Sequence, residues 1–150
     1  MCTETIIKKY IGDVFQTNHL AVLATEGDGQ PHASLVAVTP TDDFVHLIFA
    51  TYRSTRKYTN LTNNGKVAIL FENRYINHLN QQESTVLTAF GYASEVIKDE
   101  YEMAMQTHLL KHPAQDTFLL STDCAIFRVV VHAYQLVRGI DDVQWWNIKV

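Results

Sequence analysis

His19-Leu-Ala-Val-Leu-Ala-Thr-Glu-Gly-Asp-Gly-Gln-Pro-His-Ala-Ser-Leu-Val-Ala-Val-Thr39 is the stretch that decides the fold. One apolar run, His19 to Thr25, and another, Pro31 to Thr39, flank Glu26-Gly27-Asp28-Gly29, whose glycines suit the tight turn of a hairpin. The pair reads as a β-hairpin. A further turn at Pro40 to Asp43 leads into Phe44 to Ala50, which the spacing predicts as the third strand of a meander. Upstream, Ile6, Ile7, Tyr10, Ile11, Val14 and Phe15 recur at helical spacing, predicting an amphipathic helix over Thr5 to Thr17.

Downstream, a helix is expected from Thr55 to Asn63, stopped by Asn64-Gly65 through a residue at positive φ. Lys66 to Phe71 and Ser84 to Ile97 read as strands, the second bent at Gly91, with polar Glu72 to Glu83 as an exposed loop between them. Asp99 to Leu110 reads as a helix and Cys124 to Leu136 as a final long strand. Six strands with few helices predict a mainly β fold: one antiparallel barrel, closed, with helices packed outside it, over a single domain of residues 1–150. The tail carries Trp145-Trp146, and two indoles belong in the barrel seal, in a dimer interface or on a planar ligand.

Composition narrows the function. The chain has 150 residues, 47% of them hydrophobic, enough for one core. It has no signal-peptide core and no run near the roughly 20 apolar residues that span a bilayer, so a cytoplasmic location without membrane contact is expected. Cys2 and Cys124 stand far apart and read as free thiols. Of the seven histidines only His108 and His112 share an i, i+4 spacing, on what reads as a polar helix end, and no metal site is expected.

Against a net charge of -4, Arg53-Ser-Thr-Arg-Lys-Tyr-Thr-Asn-Leu61 gathers three of the twelve Lys and Arg at a predicted helix start. A helix N-terminus already carries about half a positive charge, so Arg53, Arg56 and Lys57 there call for an anion. Ser54 or Thr55 caps the helix, and the unpaired N–H groups of its first turn add to a phosphate-binding corner. No Asp or Glu lies between Ala50 and Lys66 to neutralise it locally. So compact a cluster does not suit nucleic acid, which calls for a broader basic face.

The order of these segments resembles the pyridoxamine 5'-phosphate oxidase-like, FMN-binding split-barrel family over about Val14 to Arg138. The hairpin from His19, Leu47-Ile-Phe-Ala-Thr51, Ser54-Thr-Arg-Lys-Tyr-Thr-Asn-Leu61 and Asn64-Gly-Lys-Val-Ala68 carry the resemblance. It implies a six-stranded antiparallel split barrel and a homodimer with FMN in clefts between subunits. On the family pattern Arg56 and Lys57 hold the phosphate, with Thr55, Arg53 and Ser54 assisting. Ala50 and Thr51 touch the cofactor, and Ser34, Leu35, Val36 and Ala37 line its ring, their backbone groups reading its polar edge.

The chain departs from the vitamin B6 oxidase at Ser34 and Thr39, where that enzyme has basic residues, at Val86, where it has a polar flavin contact, and at Val137, where it has tryptophan. It also lacks that enzyme's longer C-terminal ending. The resemblance therefore implies a small relative that reduces an organic acceptor through the flavin, with a nicotinamide cofactor as candidate reductant. A non-catalytic flavin carrier or sensor, and a split barrel holding haem or a deazaflavin, are the alternative readings. No catalytic residue is assigned; His32, Trp145 and Trp146 are candidates for the substrate side.

Overall fold

The computed structural model describes residues 3–18, 20–76 and 78–149; Cys2 and the expected first strand residue His19 lie outside them. Helix α1 (Thr3–Thr17) precedes the hairpin of β1 (Leu20–Gly27) and β2 (Gln30–Ala37), after which come β3 (Thr39–Pro40), β4 (His46–Tyr52) and α2 (Arg56–Asn63). A second hairpin, β5 (Lys66–Ile76) and β6 (Gln82–Glu95), leads to α3 (Lys98–Lys111), a 3-10 turn (Pro113–Gln115) and α4 (Asp116–Leu120). The chain ends with β7 (Cys124–Arg138) and β8 (Asp142–Asn147).

The first hairpin forms as its sequence dictates. Asp28 and Gly29, at φ 52 and 81, make the two-residue turn whose twist matches the flanking strands, and Gly27 then pairs with Gln30. The strands run β2-β1-β5-β6-β7-β4-β3, with β8 on the remaining edge of β7. The two ends of this path, β2 and β3, are separated in the chain by Val38 alone, so the sheet must roll until its ends meet. It does not close, because no ladder joins β2 to β4 among the described residues. The result is a split antiparallel barrel flanked by helices.

Several expectations change. Eight strands replace six, and the barrel is open along one seam. The three-strand meander does not form: β4 leaves β2 and pairs with β7, with His46 opposite Val130 and Tyr52 opposite Cys124. Polar Glu72 to Glu83 is mostly ladder, since β5 and β6 stay paired out to Ile76 and Gln82 as an exposed hairpin arm whose two faces both meet solvent. α2 ends without a left-handed residue; Asn64 stays extended at φ -149 and ψ 109 and donates its N–H to Asn60 O. Gly91 marks a bulge as expected, because a Cβ there would sit 2.3 Å from Val130 O.

One apolar cluster fills the barrel beneath α1, where Ile7, Ile11, Val14 and Phe15 are buried, each contributing about 1.5 to 3 kcal/mol. A second lies outside the sheet under α3 and α4, around Ile48, Val96, Ala104 and Ile126. The tail divides its indoles by strand alternation. Trp146 is buried and stacks on Tyr134 at 5.6 Å, while Trp145 is 49% exposed and stacks on Phe90 at 5.8 Å. Cys124 is a buried free thiol, and among the described residues no helix is long and apolar enough to cross a membrane.

Candidate functional site

The corner between β4 and α2 is held by one threonine. Thr55 Oγ1 donates to Tyr52 O at 2.8 Å, caps the helix by accepting Tyr58 N–H at 3.3 Å, and lies 3.0 Å from the buried Thr51 Oγ1. This leaves the N–H groups of Arg56 and Lys57 at the positive end of α2 without an acceptor among the described residues. Their side chains have no ion-pair or hydrogen-bond partner there either. Lys57 is half-buried, and burial pushes the pKa of its ammonium down.

The other two members of the cluster are already engaged, which corrects the expectation of three unpartnered cations. Arg53 Nη2 is 2.8 Å from Glu95 Oε2 and its Nη1 donates to Cys124 O at 2.8 Å. The Glu95 hydrogen bond raises the pKa of the guanidinium further. Ser54 Oγ donates to Asp123 Oδ2 at 2.9 Å. Both acids come from far along the chain, brought in by β6 and the approach to β7, so the absence of acids between Ala50 and Lys66 could not exclude them.

A groove of about 720 Å³ opens beside the helix start, with Arg56, Asn60, Asn63 and Asn64 on one wall and Glu26 and Asp28 on the other. Lys57, the next residue of the helix start, is not among the residues that line it. Asn60, buried, donates to Thr25 Oγ1 at 3.1 Å, and its amide occupies the space a Cβ at Gly27 would need, 2.2 Å from Oδ1. This seats α2 on β1.

β2 supplies the second half of the site. Cross-strand pairing puts His32, Ser34 and Val36 on the face of Thr25, Leu23 and Ala21, toward the barrel interior. Ser34 Oγ and His32 Nδ1 are both buried there without a hydrogen-bond partner. In a hairpin closed by the pair Gly27 and Gln30, every second residue of β2 turns its N–H and C=O to the free edge; these are Ala33, Leu35 and Ala37. Pro31 precedes them at a position where no N–H is needed.

The candidate residues thus divide. Arg56, Lys57 and the backbone edge at Leu35 and Ala37 are available to a ligand, Ser34 offers a side chain without a partner, and Val36 contributes apolar surface on the same face. Thr51 and Thr55 shape the corner with their hydroxyls already bonded. The Ala50 side chain packs in the second apolar cluster, away from β2, so only its backbone is available. Sequence reasoning missed Asn60 and Gly27, although an asparagine inside a helix, a poor position for it, was a readable signal. It also missed Ala33, whose edge role depends on the turn register.

Orphaned buried polar atoms on the inner face of β2 and free cations at the start of α2 fit a flat, polar-edged ligand that carries a phosphate. The fold is an open split barrel of β and α elements. The model of the pyridoxamine 5'-phosphate oxidase family matches residues 7–137, and the chain belongs to that family.

Solved structures agree in fold. The heme binding protein from Mycobacterium smegmatis superposes with TM-score 0.77 at 18% identity, covering 89% of this chain and 55% of its own. An FAD-binding protein from Mesorhizobium loti gives 0.71 at 14% identity, covering 88% and 94%. General Stress Protein 26 from Bacillus anthracis str. Sterne gives 0.67 at 17%, covering 95% and 98%. The chain thus spans little more than half of the first of these. No curated protein matches the sequence.

Proposed function

We propose that the protein is an FMN-dependent oxidoreductase that passes reducing equivalents to a small organic acceptor. The observation that carries the reading is the pair Arg56 and Lys57, without protein partners and with unpaired N–H groups at the start of α2, which sits on β1, the strand paired with a β2 whose interior face bears orphaned polar atoms. Arg56 and Lys57 hold the phosphate dianion through charge-assisted hydrogen bonds. Backbone groups of Leu35 and Ala37 read the polar edge of the ring, and Ser34 Oγ gains the partner it lacks. When bound, the flavin supplies the redox chemistry, and the protein needs only to orient it and leave one face open.

The outer face of the sheet suits a homodimer. Leu20, Leu35, Tyr92 and Trp145 project from it with exposures of 56, 65, 57 and 49%. So many large apolar groups on one face favour a second copy, with the cofactor cleft beside the contact.

The test is the visible spectrum of the purified chain, titrated with FMN and then with a nicotinamide reductant. Stoichiometric flavin binding followed by bleaching is expected. Binding without bleaching makes the protein a carrier. A Soret band makes it a haem protein, the alternative raised by its likeness to the Mycobacterium smegmatis heme binding protein. No binding of either removes the reading.

A further inference from the structure

Val38, the single residue between β2 and β3, is where the barrel's seam strand changes partners, and α3 grips it from outside. His112 Nε2 donates to Val38 O at 2.9 Å. One helical turn earlier, His108 Nδ1 meets Thr39 Oγ1 at 2.8 Å and His108 Nε2 meets Gln115 Oε1 at 3.2 Å. An amide oxygen only accepts, so Nε2 carries the proton and Nδ1 accepts from the threonine hydroxyl. Both rings are buried, at 0% and 7% exposure, with centroids 4.8 Å apart. The adjacent Lys111 Nζ donates to Phe15 O at 3.1 Å, tying the same turn of α3 to the end of α1.

Both histidines of the helix end that reads as polar in sequence are therefore buried, and their bonds go to the joint and to the turn that follows. Desolvating two imidazoles is unfavourable unless each polar atom finds a defined partner, and a satisfied network of this kind fixes geometry. What it fixes here is consequential. β2 is laddered on one side only, so the direction of its free Leu35 and Ala37 groups depends on how its C-terminal end is held. We propose that His108 and His112 are positioning residues for the cleft, pinning Val38 and Thr39 so that the β2 edge is set against the ligand. The cleft's identity rests on the cofactor reading above.

Charge supports this arrangement. Burial, then His112, hold His108 down to about 4, with Lys111 acting in the same direction. Thr39 from β3 and Gln115 from the 3-10 turn are uncharged. His108 is thus neutral around pH 7, and its part of the pin is disrupted by acid.

The test uses the full chain with FMN as probe. His112→Leu removes the donor to Val38, and Thr39→Val removes the hydroxyl facing His108 at nearly constant shape. Each is expected to speed amide exchange at the laddered residues Val36 and Thr39 and to raise the FMN Kd, by about tenfold in both measures. His112→Gln, which returns a terminal N–H, recovers most of the loss. Val96→Ala, in the second apolar cluster, lowers Tm without either effect. The proposal is overturned if exchange at Val36 and Thr39 responds no more than in Val96→Ala, or if exchange rises while Kd does not. Should His112→Leu fail to fold, Thr39→Val decides alone. If the wild-type chain binds no FMN, the cofactor reading fails, and the exchange comparison still decides whether the joint is pinned.

Discussion

The helices at the two ends of β2 treat polar groups in opposite ways. At its C-terminal end α3 brings in His108, which is fully paired with Thr39 and Gln115, and His112, bonded to Val38 O. Nearer its other end, where α2 sits on the neighbouring β1, Arg56 and Lys57 lack partners, and Ser34 Oγ and His32 Nδ1 are buried unpaired. The same short chain completes one network and leaves the other open. Most buried polar groups in native proteins are paired, and the proposed function takes the unpaired atoms of β2 and the free cations of α2 as groups that a ligand completes.

The sharpest way to break this contrast is to remove the open side's charges. Arg56→Ala with Lys57→Ala deletes two charge-assisted contacts of about 1.5 to 3 kcal/mol each, so FMN affinity is expected to fall by about a hundredfold or more. Tm of the ligand-free protein is expected to hold or rise, because cations leave the positive end of a helix. Fluorescence titration and thermal unfolding report the two effects. Stoichiometric FMN retained by the double variant would show that the anion lies elsewhere.

The closed side is probed by acid. Burial holds the His108 imidazole down to about 4, from the ordinary 6.5 of a histidine. As pH falls the unfolded chain takes the proton first, so the stabilisation is fully present above 6.5 and is lost between about 6.5 and 4. The linked loss is at most about 3 kcal/mol. Urea unfolding at stepped pH measures it, with His108→Gln as reference; equal slopes for both proteins in that window would exclude His108 as the source.

How far the sequence foretold this contrast depends on which part is asked about. α1, the first hairpin, α2 and the bulge at Gly91 rest on local rules: helical spacing, turn glycines, a threonine cap, a backbone too close for a side chain. The free cations were legible for the same reason, since charge and helix dipole act within one turn. What failed is non-local. The pairing of β4 with β7, the engagement of Arg53 by Glu95 and of Ser54 by Asp123, and the burial of His108 under the seam all depend on segments dozens of residues away. Trp145 and Trp146 show the boundary: an aromatic pair signals burial, but only strand alternation decides which indole goes inside.

Ser34 offers a smaller and more local test of the same contrast. Ser34→Ala removes a buried hydroxyl that has no partner, so the ligand-free protein should gain up to about 1 kcal/mol rather than lose it. With flavin present the sign reverses, and Kd is expected to rise by about fivefold if the hydroxyl is completed by the ligand. A variant that is less stable without ligand and unchanged in Kd would place Ser34 in an ordinary protein network instead.

The smallest effect belongs to Glu95, which separates the engaged cation from the free ones. Its carboxylate accepts from Arg53 Nη2 at 2.8 Å and from Tyr58 OH at 2.7 Å, with both members of the ion pair a third or more exposed. Exposed pairs contribute under about 1 kcal/mol, so Glu95→Gln should move Tm little. Its value lies in flavin affinity. If the assignment of Arg53 to a structural role is right, Arg53 stays on Cys124 O and Kd changes by less than about twofold. If Arg53 instead belongs to the phosphate site and Glu95 merely holds it when no anion is bound, neutralising the carboxylate frees a third cation and FMN binds several-fold more tightly at low salt, an advantage that fades as ionic strength rises.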